Sequence, residues 1–290
     1  MTVYLESLCG GLGNQLFSVA TVFALAKKLN TTFMLNTDQH EICTATLTIP
    51  TYIHTIFNTF LEENNYSTIK PANEKKINIT FQQFTDLPIS ISILEKILKN
   101  KGMIVVKGLP MKLSLFHDYL PEIRSILYKQ KETLNIHLPK DSSITNVGIM
   151  FRTFSEEKHR EWMVLESYYK HAMNYLFTKL DCKDTIHIYV YTDEEGVTEK
   201  IIQPALQELG FTYPCIEKVG KRDNKTDVIH FFEMFDIDHF ILCNSTYHYW
   251  PALISDKNKN KIVTYAKRTQ DGNDVHWFQH IVEKEWVCLL

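Results

Sequence analysis

Four short segments of the chain combine residue types that can hold a phosphorylated ligand. The first is Gly10-Gly11-Leu12-Gly13-Asn14-Gln15-Leu16-Phe17. Its glycines allow positive φ and a close backbone approach, and the helix that follows offers unpaired N–H groups and a positive dipole end. No Lys-Ser/Thr follows as in a P-loop, and the third glycine of the dinucleotide fingerprint is missing, so a structural turn explains the run equally well. The second segment, 147–154, carries an apolar β-pattern that ends on Arg152. An arginine at the tip of a parallel strand can fork onto a pyrophosphate, although a surface ion pair is the plainer reading. In the third, Tyr189-Val190-Tyr191-Thr192-Asp193, the carboxylate can accept from a ribose hydroxyl or the N–H edge of guanine, or cap the next helix. In the fourth, Asn244, Ser245 and Thr246 lie between an apolar run and an aromatic helix. Their hydroxyls and the fresh N–H groups there can hold phosphate oxygens, or serve only as caps.

The elements that must position these residues follow from periodicity. Residues 3–8 read as a strand, the glycines break it, and 14–29 continue with helical apolar spacing. A short strand is expected at 32–35, and the polar stretch 38–78 supports no assignment. Next come a helix at 93–101, a strand at 103–107, and a helix at 113–129 interrupted near Pro121. Pro, Ser and Asn cluster at 137–146, where apolar periodicity lapses, so a connector is expected there. Beyond it, strand-like runs at 147–151, 185–191, 239–243 and 261–265 alternate with helical patterns at 164–180, 197–209, 227–235 and 246–253. Such alternation predicts a parallel α/β sheet, whose ligands bind beyond the carboxyl ends of the strands, where Arg152, Asp193 and Asn244 fall. Trp277, Phe278 and Trp286 are expected on the apolar face of a last helix.

Composition removes several classes. The chain has 290 residues, 44% of them hydrophobic, which is enough for a substantial core, and a formal net charge of −3. No Lys/Arg block has the density of a nucleic-acid footprint, so a polyanion partner is not expected, whereas a nucleotide-sugar needs only one or two cations. The N-terminus lacks the basic and apolar regions of a signal peptide, and no apolar run is long enough to span a bilayer, so a cytoplasmic location is expected. Six widely spaced cysteines without zinc-ligand spacing read as reduced thiols.

In this order, the segments resemble the α1,2-fucosyltransferases of glycosyltransferase family 11. That family opens with a GGLGNQLF-type segment and carries HxRRGDY on a mid-chain strand. A YY..A helix, a strand ending (F/Y)SDD and an NSSFSWW segment follow. The counterparts here are Gly10 to Phe17, Met150 to Phe154, Tyr168-Tyr169-Lys170-His171-Ala172, Thr192-Asp193-Glu194 and Asn244 to Trp250. The family's His is Met150, its second Arg is Thr153, and Phe154-Ser155 stand where Gly-Asp is usual. The resemblance implies a GT-B-like α/β fold of two Rossmann-like domains with a cleft between them. Residues 1–140 would form the acceptor side and 141–290 the nucleotide-sugar side.

The same resemblance implies an inverting transfer of L-fucose from a GDP-sugar donor to a glycan hydroxyl, with no metal and no cofactor beyond the donor substrate. Arg152 would neutralise the departing phosphate. Asn244, Ser245 and Thr246 would hold the phosphates and Asp193 the guanine or ribose. The turn with Gly11, Gly13 and Asn14 would close over the donor or orient the acceptor. For the base that takes the acceptor proton, Glu156, Glu157, His159 and Glu161 are candidates. Three readings compete, the first being a GDP-sugar transferase that moves another sugar such as a rhamnose. Asp236-Ile237-Asp238 matches the D-x-D of metal-dependent transferases, and Met150 leaves open a binding module without turnover.

Overall fold

The structure, a computed structural model, describes residues 2–36, 41–43, 48–62, 76–139, 141–154, 159–180, 185–221, 223–273 and 280–289. It divides into two compact units, Met1–Asn135 with Trp277–Ile281, and Ile136–His276 with Val282–Leu290.

The first unit contains strand β1 (Thr2–Leu5), helix α1 (Leu12–Lys28), β2 (Thr32–Leu35), the antiparallel hairpin β3 (Glu41–Cys43) and β4 (Thr48–Pro50), α2 (Asn58–Glu62), β5 (Lys76–Phe81), α3 (Ile91–Lys101), β6 (Met103–Gly108) and α4 (Leu120–Leu134). Its main sheet is parallel, in the order β2-β1-β6-β5. The first turn is the strand, glycine turn and helix that the sequence suggests. α1 is buried almost all round, with Gln15 and Ser18 inside as well as Phe17, Val19 and Phe23. The expected interruption at Pro121 is instead a start. Two short 3-10 turns, Leu113–Leu115 and His117–Tyr119, precede α4, and the proline stands in its first turn. No intrahelical acceptor is needed there, so a residue without an N–H costs nothing.

The second unit contains β7 (Ile144–Phe151), α5 (Glu166–Phe177), β8 (Thr185–Thr192), α6 (Gln203–Glu208), β9 (Cys215–Val219), α7 (Asn224–Glu233), β10 (His239–Ile241), α8 (Thr246–Ile254), β11 (Val263–Ala266) and β12 (Val287–Leu289). All pairings in its sheet are parallel, and the order is β12-β11-β10-β7-β8-β9. The chain steps outward from β7 through β8 to β9, then returns to the other side of β7 with β10. This is the doubly wound order, and its reversal opens a crevice beyond the carboxyl ends of β7 and β10. Helices cover both faces, so Val147, Ile149, Met150 and Phe151 are all buried and the strand reads as a continuous apolar run.

The expected last helix is not what residues 280–289 form. Trp286 precedes β12 in an irregular stretch, and its ring meets Tyr249 edge-on at 5.5 Å. One large aromatic covering a neighbouring ring needs no helix. Trp277 and Phe278 lie outside the described residues.

Candidate active site

Arg152 and Asp193 are the first residues past two paired strand ends, since the register sets Phe151 of β7 against Thr192 of β8. Arg152 Nη1 lies 3.1 Å from Asp193 Oδ2, with side chains 17% and 6% exposed. Asp193 Oδ1 accepts from the Thr153 N–H at 2.8 Å and from its hydroxyl at 3.0 Å. Oδ2 is buried and faces the guanidinium without a well-aligned N–H···O bond. The carboxylate therefore fixes Arg152 and the bend after β7, and it does not cap a helix. Thr192 makes the next turn, its Oγ1 accepting from the Glu194 N–H at 3.2 Å.

The backbone bends sharply beyond the arginine. Phe154 holds a left-handed φ of 54°, rare for a bulky side chain. Its ring lies 5.3 Å from the guanidinium carbon of Arg152 and meets Trp162 edge-on at 5.9 Å. Trp162 stays 44% exposed, and its carbonyl accepts from Asn244 Nδ2 at 3.1 Å. Arg152, Asp193 and Asn244, expected together from sequence, thus meet around the crevice at the β7–β10 reversal. Glu156 and Glu157 lie outside the described residues.

Ser245 stands at the start of α8 with extended backbone, and its side chain makes no capping hydrogen bond. The plain cap reading does not describe it, and the first N–H groups of α8 lack a side-chain acceptor from it. Beneath this turn, Cys243 Sγ and His248 Nδ1 lie 3.1 Å apart, both buried. Burial pushes the His248 pKa down to about 3, helped by the Arg152 charge, so the ring is neutral. Burial pushes the Cys243 thiol up, so it too stays uncharged.

In the first unit, Gly10 takes φ +67°, and a Cβ there would come within 2.3 Å of Asn14 Nδ2. Gly11, at the start of α1, has φ −70° and open space where a Cβ would be. Gly10 is therefore required by the fold, whereas nothing among the described residues requires Gly11. Gly13 is buried in the first turn of α1, and Asn14 follows it. Fully buried Gln15 locks the turn: its Nε2 donates to the carbonyls of Gly10 at 3.0 Å and Pro50 at 2.9 Å, and its Oε1 accepts from the Tyr52 N–H at 3.2 Å. From sequence, Gln15, Thr153 and Phe154 were motif positions without a role of their own, and Trp162 carried no signal. A polar side chain inside an otherwise apolar helical run was the available signal for the first.

Asp236 and Asp238 lie at the opposite, amino end of the central strands. Asp238 Oδ2 accepts from the Asn146 N–H at 2.9 Å and from Lys257 Nζ at 3.0 Å, and Asp236 Oδ2 accepts from the Leu138 N–H at 2.9 Å. Asn146 and Arg152 are six positions apart along an extended strand, or about 20 Å at 3.3 Å per residue. These carboxylates close the amino ends of β7 and β10 and do not face the crevice.

The fold is α/β and GT-B-like. No protein-family model matches the chain, and no curated protein matches it in sequence. Solved structures do. One of POFUT1 in complex with GDP-fucose has a TM-score of 0.56 at 12% identity, covering 90% of this chain and 97% of that one. One of a mutant of Arabidopsis thaliana FUT1 in complex with GDP has a TM-score of 0.53 at 11% identity, covering 88% and 68%. Among the described residues, no helix is long and apolar enough to cross a membrane.

Proposed function

We propose that the protein is an inverting glycosyltransferase that moves L-fucose from GDP-fucose to a sugar hydroxyl of a glycan, with the α1,2-fucosyltransferases of family 11 as its relatives. The observation that carries this reading is the aspartate-held Arg152 at the strand-order reversal, with the Asn244–Ser245–Thr246 start of α8 following the neighbouring strand. A rigid guanidinium beside the positive end of a helix dipole suits a diphosphate, and the solved structures of similar fold hold GDP or GDP-fucose.

In this reading Arg152 stabilises the charge that grows on the β-phosphate as the sugar departs, and Asn244, Ser245 and Thr246 hold phosphate oxygens. Asp193 acts through Arg152 by fixing its direction. The Gly11, Gly13 and Asn14 turn contributes from the acceptor side, residues 1–140, and 141–290 bind the donor. The reaction uses no metal or cofactor and takes place in the cytoplasm. A second reading, a GDP-sugar binder without turnover, is favoured by Met150, whose buried side chain cannot donate where the family carries His.

Calorimetry with GDP, GDP-fucose, UDP, ADP and NAD, followed by an assay of GDP release, tests both readings. Tight binding of GDP and GDP-fucose alone, with release, is the expected result. A preference for UDP overturns the donor, and binding without release selects the second reading.

A further inference from the structure

The stack that begins at Arg152 continues past Trp162 to a histidine. His159 lies flat on Trp162, with centroids 4.1 Å apart and planes 8° apart. Its Nδ1 donates to Glu161 Oε1 at 2.8 Å, and the two side chains are 46% and 48% exposed. A carboxylate only accepts, so the neutral ring keeps its proton on Nδ1 and a free lone pair on Nε2. The backbone carrying this pair is tied down. The His159 N–H donates to the Phe154 carbonyl at 3.2 Å, Gln270 N–H to Met163 at 2.8 Å, and Asp271 N–H to Glu161 at 3.3 Å. With Asn244 on the Trp162 carbonyl, the segment is held from both sides.

We infer that His159 is the general base for the acceptor hydroxyl in the transfer proposed above, with Glu161 as the residue that positions it. The inference rests on that reading of the donor site. The hydroxyl proton passes to His159 Nε2 while its oxygen bonds to the anomeric carbon of the sugar. On the opposite side, the bond from that carbon to the β-phosphate oxygen breaks, and its electron pair leaves with GDP toward Arg152. Such a displacement needs the base and the leaving-group cation on opposite sides of the reacting carbon. The Phe154 and Trp162 rings keep His159 apart from Arg152, while the shared stack keeps both in fixed directions.

Among the described residues, the charged groups around the imidazole are Glu161, Arg160, which pairs with Glu194 at 3.0 Å, and Asp271, whose charge bears on Glu161. The hydrogen bond from His159 is the largest cause holding the Glu161 carboxyl below its ordinary range, so Glu161 stays charged at neutral pH. A neighbouring carboxylate favours the imidazolium that forms as the proton arrives.

The test uses the full chain with GDP-fucose, measuring GDP release with water and with a panel of methyl glycosides as nucleophiles, alongside GDP affinity by calorimetry. His159→Phe keeps the stack on Trp162 and removes the base. It should slow GDP release by roughly 100-fold or more, with GDP affinity unchanged within about twofold. Glu161→Gln removes the carboxylate that directs the ring, so kcat for GDP release should fall while KM, GDP affinity and melting temperature stay in place. A merely structural role would lower the melting temperature and leave kcat unchanged. Near-normal release by His159→Phe, or an unchanged kcat in Glu161→Gln, overturns the assignment while leaving the donor site standing. If the wild-type protein binds no GDP, the donor reading fails and the base falls with it.

Discussion

Arg152 and Asp193 pair at 3.1 Å from the ends of adjacent parallel strands, so the strand register itself delivers the cation and its counter-charge to the same edge of the sheet. In the function proposed above, a partly buried guanidinium held this way would be preorganised for charge that appears only during reaction.

Arg152→Ala should therefore lose transfer by about 100- to 1000-fold while the fold survives, the usual cost of removing one preorganised donor. Arg152→Lys should restore little, because an ammonium cannot reproduce the planar fork. Melting temperature and product formation measured on the same purified variants check this. Transfer close to the wild-type rate by Arg152→Ala would place the donor phosphates elsewhere.

Asp193→Asn leaves a polar acceptor for Thr153 but removes the charge facing Arg152. With Asp193 6% exposed, the loss should be about 2–4 kcal/mol of stability. GDP should offset part of this loss if the vacated guanidinium meets phosphate, so the gain in melting temperature with GDP should exceed that of the wild type. An unchanged melt without ligand would contradict the structural role.

The two leading glycines should respond oppositely. Gly10→Ala forces a side chain to φ +67° against Asn14 and should cost about 1–3 kcal/mol. Gly11→Ala meets nothing and should leave the melt within about 0.5 kcal/mol. If the open space at Gly11 admits part of a substrate, the same substitution raises KM. A Gly11→Ala enzyme with unaltered kinetics argues against that use of the turn.

Chelation should leave transfer unchanged, because Asp238 is occupied by Asn146 and Lys257 at the amino end of the strands, away from Arg152. Asp238→Ala should destabilise the fold without creating or removing a metal requirement. Loss of activity in EDTA, restored by manganese, would reverse this conclusion.

Stability should fall in acid through His248. Its folded pKa of about 3 lies below the ordinary value of 6.5, so the unfolded chain binds the extra proton between those values. The stabilising contribution is complete above about pH 6.5 and declines by up to ~1.4 kcal/mol per pH unit down toward pH 3. Thermal melts from pH 7 to 4 should show a shallower decline for His248→Gln than for the wild type.

The half of the chain from β7 onward was largely legible because both faces of its sheet are covered. Buried strands such as Ile144–Phe151 and Thr185–Thr192 keep dense apolar runs, and the residues just past them could be read as the site. β5 and β9 gave no comparable signal. In Lys76–Phe81 only Ile79 and Phe81 are buried, and Cys215–Val219 has no fully buried residue, as expected of edge strands. At the site, residue types suggested a role for Asp193 on the nucleotide, and only the register could show it turned toward Arg152 and Thr153. The ring stack was invisible for a related reason: Phe154, His159 and Trp162 follow no helical or strand period, and an irregular bend brings them together.

Phe154 shows where the fold gives up stability. A phenylalanine at φ 54° is held against its own backbone preference, and Phe154→Gly would relax it. A laboratory selection for heat resistance alone would be drawn to such a position, whereas a selection for turnover would keep the aromatic ring that links Arg152 to Trp162. Passing one library through both selections and comparing the survivors at residue 154 would reveal which pressure the native sequence answers to.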